Sequence, residues 1–360
     1  MKVLATVLTP VRDEERHIRE AVARMQAQEL DGDYEMLFMD GRSSDRTKLI
    51  LEELAAEDPR IRIFDNPGRT TPIGLNVGLH EARGDVVVRM DAHTYYPPDY
   101  LAAAVERLSR DDGVEWANGP QVPLGKGPWS RRVALATESW LGVGGATFRR
   151  GGEHELETDT GFTGAFRRET LERLGGWDEE WTINQDAELG ERIKAAGGRI
   201  VCIPAMRAHY IPRDSVKTLA RQYFRYGLYR AKTAKRHPGS MRRSHVLAPG
   251  VATAALGSVL LPRPLRTLAR IGVGAYGLAI LAASAGMAMQ GERRDAAAMP
   301  AVFATMHLSW GFGYLAGFAK WGPPLAALRG LASRPAAPAP VPLAEPRTLE
   351  PADAAAEATA

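Results

Sequence analysis

The chain has 360 residues, 45% hydrophobic and 25% charged, with a net charge of +3. That is long enough for two or three structural units around buried cores, and too nearly neutral overall to mark a nucleic-acid binder by charge alone. The one cysteine, Cys202, excludes a disulfide framework and argues against a cysteine-based metal centre, and it fits a reducing compartment.

The first ~110 residues alternate strand and helix patterns. "KVLATVLTP" reads as a buried strand ending at Pro10, not as a signal peptide, because charges follow at once. "EERHIREAVARMQAQ" has helical apolar spacing at Ile18, Val22 and Met25. "YEMLFMDG" is a second strand ending at Asp40, and "SSDRTKLILEELAAED" opens a helix with Ser44 or Asp45 as the cap. "RIRIFDN" is a third strand, "TPIGLNVGLHEAR" a short helix and "DVVVRMD" a fourth strand. This order predicts an α/β fold with a mostly parallel, doubly wound sheet. Ligands bind such sheets beyond the carboxyl ends of the strands, so Asp40 and Asp91 should face one crevice. Residues 114–212 carry a mixed pattern that completes the sheet and covers the crevice.

The composition then changes. Between Arg213 and Arg243 there are ten Lys/Arg and one acidic residue, Asp214, with Tyr223, Phe224, Tyr226 and Tyr229 interleaved. No helix-turn-helix, zinc or RNA-recognition signature accompanies these charges, so nucleic acid is not expected. Three apolar stretches follow: Val246–Pro262, Ile271–Met289 and Met299–Ala319. The second and third are long enough to cross a ~30 Å hydrocarbon core. The first contains Pro249 and reads equally as a re-entrant or interfacial segment, and the second and third could instead be buried helices of a bundle. A basic, aromatic segment ahead of such stretches fits the cytoplasmic face of a membrane. The tail over 333–360, rich in Pro and Ala, is expected to be disordered.

Candidate chemistry centres on "RMDAHTYY". Asp91 and His93 alternate on an extended strand end, so both could reach one ion. Oxygen ligands suit a cation that bridges phosphates, and Mn²⁺ also accepts imidazole. The bland alternative is a strand end turning into solvent. Around it, Arg12, Asp13 and Glu14 follow the first strand, Ser43, Ser44 and Asp45 follow Asp40, and "NPGRTTPIGLNVGL" supplies Arg69 and Asn76. Each alone reads as a turn residue or cap. Together they read as a nucleotide pocket, with carboxylates for base and ribose and an arginine near phosphates.

The linked pieces "TPVRDEE", "MDGRSSDRT", "DNPGRTTPIGLNVGL", "VRMDAHTYYPPDYL", "TDTGFTGAFRRETLERLGGWDE", "NQDAELGERIKAAGGRI" and "RQYFRYGLYRAK" resemble glycosyltransferase family 2, the GT-A fold enzymes. Within it they are most similar to the succinoglycan-biosynthesis ExoA-type transferases. The resemblance covers roughly residues 1–235. It implies a nucleotide-sugar donor, a divalent cation (Mn²⁺ or Mg²⁺) and transfer with inversion. Pro10, Arg12, Glu14, Asp40, Arg69, Asn76 and Asp91 would then line the donor pocket, with Asp40 on the uracil or its ribose. Asp91 and His93 match the D-x-D metal motif, with His for the second carboxylate. Asp186 matches the general base of the Glu-Asp pair, and Gln185 stands where Glu is usual. Gln222, Arg225 and Tyr226 resemble the Q-x-x-R-W motif of processive synthases, with Tyr for Trp. The alternative role for Asp186 is a helix cap.

Asp159 and Thr163, in a Gly-rich stretch, are candidate acceptor contacts. Trp177 either packs under the base or stacks on a sugar, and His209 is either a further phosphate or metal ligand or a satisfied core histidine. The resulting division is a GT-A catalytic domain over 1–212, a basic interfacial segment over 213–245 and two or three membrane helices over 246–320. The expected enzyme is multi-pass in the cytoplasmic membrane with its catalytic domain in the cytoplasm. Its donor is UDP-glucose first and GDP-mannose second, and its acceptor a lipid-linked glycan. A processive polysaccharide synthase and a catalytically inactive membrane scaffold are the alternatives.

Overall fold

Runs of β-branched and apolar residues that are buried on both faces form parallel strands covered by helices on either side. The computed structural model describes residues 2–143, 153–290 and 292–333. The elements are β1 (Val3–Val11), α1 (Ile18–Gln26), β2 (Asp33–Asp40), α2 (Thr47–Glu57), β3 (Ile61–Asp65), α3 (Thr71–Glu81), β4 (Val86–Arg89), β5 (Thr94–Tyr95) and α4 (Tyr100–Ser109). Next come β6 (Val114–Asn118), β7 (Gln121–Pro123), α5 (Pro128–Glu138), α6 (Trp140–Val143), β8 (Leu156–Glu157), β9 (Gly164–Arg167), α7 (Arg168–Leu174), α8 (Gln185–Ala195), β10 (Arg199–Cys202) and β11 (Ala208–Tyr210). The chain closes with α9 (Val216–Arg236), α10 (Leu247–Leu260), α11 (Arg263–Met289), α12 (Arg293–Ala296), α13 (Met299–Trp321) and α14 (Leu325–Ser333).

The main sheet has the order β3-β2-β1-β4-β9-β6-β10-β8. Pairings among β3, β2, β1 and β4, and between β6 and β10, are parallel. β9 lies antiparallel between β4 and β6, a reversal that the alternating sequence pattern did not announce. One core packs α1, α2 and α4 on one face, with Ile18, Leu51 and Leu101 fully buried. The other packs α3, α7 and α8 on the opposite face around Trp116, Phe166 and Trp177. A small second sheet, β5-β11-β7, sits beside the crevice.

The register aligns the carboxyl ends of three strands: Val11 pairs with Asp40, and Leu8 with Arg89. The loops that leave them clasp each other. Asp13 Oδ1 accepts the Ser44 N–H at 2.7 Å, the Glu14 N–H donates to Thr47 Oγ1 at 2.7 Å, and the Glu15 N–H donates to Asp45 Oδ2 at 3.0 Å. Asp45 also accepts the Thr47 N–H at 2.9 Å just ahead of α2, whose N-cap position is Arg46 and not the expected Ser44 or Asp45.

The C-terminal helices differ in what covers them. Met299–Ala319 falls in α13, whose Met299, Val302, Phe303, Met306 and Tyr314 are buried against protein. α13 runs parallel to α9: Gly313 meets Phe224, Trp310 meets Gly227 and Gly317 meets Ala231. Small residues let the two backbones approach closely, and α9 carries seven Lys/Arg. A Cβ on Gly227 would sit 1.9 Å from the Trp310 carbonyl oxygen. Gly227→Val must therefore force the helices apart, and overpacking of this kind costs about 1–3 kcal/mol or more. The expected result is a lower urea midpoint with an unchanged slope. Among the described residues one helix, α11, is long and apolar enough to cross a membrane, with a mean hydropathy of 1.7. The tail over 334–360, and residues 144–152 of the Gly-rich stretch, lie outside the described residues.

Candidate active site

β4 is an apolar run broken by one charge, and that charge organises the site. Arg89 is 5% exposed. Its Nε and Nη2 donate to the two oxygens of Asp91 at 2.9 and 3.0 Å. Its Nη1 donates to both oxygens of Asp186 at 2.8 and 3.1 Å. One buried guanidinium thus joins the candidate metal ligand to the candidate base, which lies 97 residues beyond Arg89 in sequence. The sequence reading missed Arg89; its signal was a lone arginine inside "DVVVRMD".

Burial and the paired charges act in opposite directions here. Burial raises the Asp186 carboxyl above the ordinary carboxylate range and Asp91 adds to the rise, while Arg89 only partly offsets it. At Asp91 burial is outweighed by Arg89, helped by His93, so that carboxyl lies below the ordinary value. Arg89 itself is driven up: burial opposes its charge, but Asp186 and Asp91 prevail. The Asp91 N–H donates to Tyr96 Oη at 2.8 Å, and Tyr96 packs edge-on to Tyr100 at 4.8 Å. These two buried rings form the floor beneath Asp91.

α8 begins at Gln185, after Asn184 at φ +60° and with no side-chain cap. Asp186 therefore does not cap its helix; it reaches across to Arg89. Its position in the first turn still favours the ionised form. The loop ahead of α8 is held by α9: Trp181 Nε1 donates to Thr233 Oγ1 at 3.0 Å, Thr182 Oγ1 and Tyr229 Oη lie 2.7 Å apart, and Asn184 Nδ2 donates to the Tyr226 carbonyl at 3.4 Å. Gln222 Nε2 in turn donates to Tyr226 Oη at 3.0 Å. The "RQYFRY" segment is thus brought to the entry of the candidate base helix, with Arg225 exposed.

His93 Nδ1 lies 3.6 Å from Glu14 Oε1. Glu14 raises the imidazole above its ordinary value and Asp91 adds to this, against burial and the nearby Arg213 charge. Glu14 therefore meets His93 across the crevice. His209, on β11, pairs in register with Tyr95 of β5, two residues beyond His93, and the Arg213 charge lies near enough to act on His93.

Other expected residues stand elsewhere. Asp40 is 4% exposed, and its carboxylate accepts the Ser43 hydroxyl at 2.6 Å at the end of β2. Pro10 lies in β1 beside Met39. Arg12 is exposed, 3.6 Å from Asp13, and Arg69 is exposed at φ +56° in the turn after β3. Asn76 is a correction: it clamps Trp177, donating to its carbonyl and accepting its N–H, each at 2.8 Å, on the α3 face of the sheet. Trp177 is core, 1% exposed. Thr163 is also a correction. It is fully buried and donates to the Phe162 carbonyl at 2.6 Å, so it offers no acceptor surface. Asp159 pairs with Lys194 at 3.3 Å and with Arg242, and so braces the sheet against the basic segment.

Among the described residues no three His, Cys, Asp or Glu side chains converge as a cage for a metal. Asp91 keeps one lone pair per oxygen beyond those given to Arg89, and His93 stands beside it. Two protein donors fit an ion that arrives with a diphosphate supplying most of its ligands, not a resident ion.

The glycosyl transferase family 2 model matches residues 6–175. Succinoglycan biosynthesis protein ExoA of Rhizobium meliloti is 32% identical over 86% of this chain and 93% of its own. A Methanococcus voltae dolichyl N-acetyl-α-D-glucosaminyl phosphate 3-β-D-2,3-diacetamido-2,3-dideoxy-β-D-glucuronosyltransferase is 24% identical over 62% of this chain and 71% of its own. The solved mannosyltransferase PcManGT of Pyrobaculum calidifontis, in complex with GDP-Man and Mn²⁺, superposes with a TM-score of 0.55 over 89% of this chain and 88% of its own, at 20% identity, and shares its fold. The chain belongs to glycosyltransferase family 2 and is a glycosyltransferase, similar to ExoA.

Proposed function

We propose that the protein transfers a hexose, with inversion, from a nucleotide-diphosphate sugar to a lipid-linked sugar at the cytoplasmic face of the membrane, with UDP-glucose as the first donor to test. The observation that carries this reading is the single buried Arg89 shared by Asp91 and Asp186. It sets a carboxylate base one guanidinium away from the carboxylate that faces the donor phosphates.

The acceptor hydroxyl gives its proton to Asp186 as its oxygen forms the new bond to the anomeric carbon. The bond from that carbon to the phosphate oxygen breaks on the opposite side, and the nucleoside diphosphate leaves with the electron pair. One base suffices because the leaving group is already anionic, unlike glycoside hydrolysis in water, which usually uses two carboxylates. Asp91 and His93 would hold a divalent cation delivered with the donor, and such an ion neutralises the charge that builds on the diphosphate. Asp40 at the end of β2, with the loop that carries Arg12, forms the wall for base and ribose. The lipid-linked acceptor is supported by a relative named for a dolichyl phosphate sugar and by the basic segment after the catalytic domain.

Donor hydrolysis across UDP-, GDP- and dTDP-sugars, with Mn²⁺, Mg²⁺ or chelator, tests the reading. One donor should turn over only with metal, and Asp91→Ala should abolish that turnover. No turnover or binding of any donor would favour an inactive scaffold. The contact of the "RQYFRY" helix with Asn184 keeps a processive synthase as the second reading, and product length, one sugar or a polymer, separates the two.

A further inference from the structure

We propose that the α10–α11 hairpin is a monotopic anchor that lies in the surface of an anionic phospholipid bilayer and crosses nothing. This rests on the reading of a membrane-bound acceptor and replaces the two or three spans expected from hydropathy.

Both ends of the hairpin are tied to the catalytic body. Before it, Arg242 pairs with Asp159, and the Ala248 carbonyl lies 2.3 Å from where a Cβ on Gly311 of α13 would sit. After it, Asp295 is 2% exposed and accepts from Arg131 and Arg132 of α5 at 2.8 and 3.0 Å. A segment whose two ends return to one side crosses a bilayer twice or not at all. The outgoing leg, α10, has 14 residues, about 21 Å of helix, short of the ~30 Å hydrocarbon core. α11 is long enough by itself, but it cannot cross without a returning partner.

The hairpin tip is nevertheless built for lipid. Leu256, Val259, Leu260, Leu265, Leu268 and Ile271 are all exposed there, Leu260 at 74%. Arg263, Arg266 and Arg270 stand among them, and no acidic residue occurs between Ser215 and Gln290. Arg266 Nε donates to the Leu261 carbonyl at 2.9 Å and Arg270 Nε to the Ser258 carbonyl at 3.3 Å, which keeps these guanidiniums at the tip. Carrying three arginines through hydrocarbon is costly. At the headgroup level the same residues meet phosphates while the leucines enter the acyl boundary. That occupant matches both the charge and the apolarity of the face.

Two measurements on the full chain test this. In flotation, wild type should bind vesicles of phosphatidylcholine with 30% phosphatidylglycerol, and the Arg263→Glu/Arg266→Glu/Arg270→Glu variant at least about tenfold more weakly. In sealed membrane vesicles, Thr267→Cys should react with an impermeant maleimide from the side that also labels Glu169→Cys on the catalytic body. Buried Cys202 makes the parent chain the unlabelled control. Equal binding to neutral and anionic vesicles, or labelling of Thr267→Cys only from the opposite side, would overturn the proposal. Neither readout uses sugar transfer, so a failed anchor leaves the transferase reading standing, and a chain that turns over no donor still reports on the anchor.

Discussion

Asp186→Asn is expected to lower the transfer rate about 10²–10⁴-fold while leaving donor affinity within a few-fold. The substitution preserves shape and the partner facing Arg89 but removes the proton acceptor. Donor affinity should persist because Asp91, His93 and the strand-end loops are untouched. A loss in KM instead of kcat would show that Asp186 binds substrate without acting as a base. The pH profile carries a second test. The base works ionised, and its carboxyl is raised by burial, with Asp91 adding to the rise and Arg89 only partly opposing it. The rate should therefore fall as pH drops through a value above the ordinary carboxylate range, with an acid limb shifted upward relative to a free aspartate. An acid limb at or below the free-aspartate value would remove Asp186 from the role.

Arg89→Met is expected to cost about 3–5 kcal/mol of stability, because it strands two buried carboxylates with no counter-ion. Arg89 donates to four carboxylate oxygens from three nitrogens. No lysine reproduces that fork, so Arg89→Lys should retain part of the stability and recover little of the transfer rate. Urea midpoints and kcat, measured on both variants, separate folding from positioning. If Arg89→Lys matches wild type in kcat, the fork geometry is not needed, and charge balance alone explains the arginine.

The same residues mark the limit of reading along the chain. The strand ending at Asp91 and the helix opened by Asp186 were legible, because period-2 and period-3.6 patterns are local. Their junction through Arg89 was not, since it joins positions 97 apart. Asn76 illustrates the converse. Its segment matched the family pattern, yet its amide faces the Trp177 backbone, 101 residues away. Thr163 lies in a stretch rich in glycine that suggested an open loop, but β9 follows it directly and draws it into the core between β4 and β6.

By itself, the sequence determined the α/β alternation, the places of Asp40 and Asp91 at strand ends and the family. These follow from side-chain periodicity and from short motifs in which each residue's chemistry is visible. Only the tertiary structure decided that β9 runs antiparallel, that one guanidinium serves both carboxylates, and that α13 packs on α9 while α11 stays exposed. α11 and α13 are both long and largely apolar, although among the described residues only α11 reaches the hydropathy of a membrane span, and an apolar face can be covered by lipid or by protein. What separates them is which backbone approaches: Gly227, Gly313 and Gly317 admit close contact between α9 and α13, and for most of α11 the protein supplies no such neighbour.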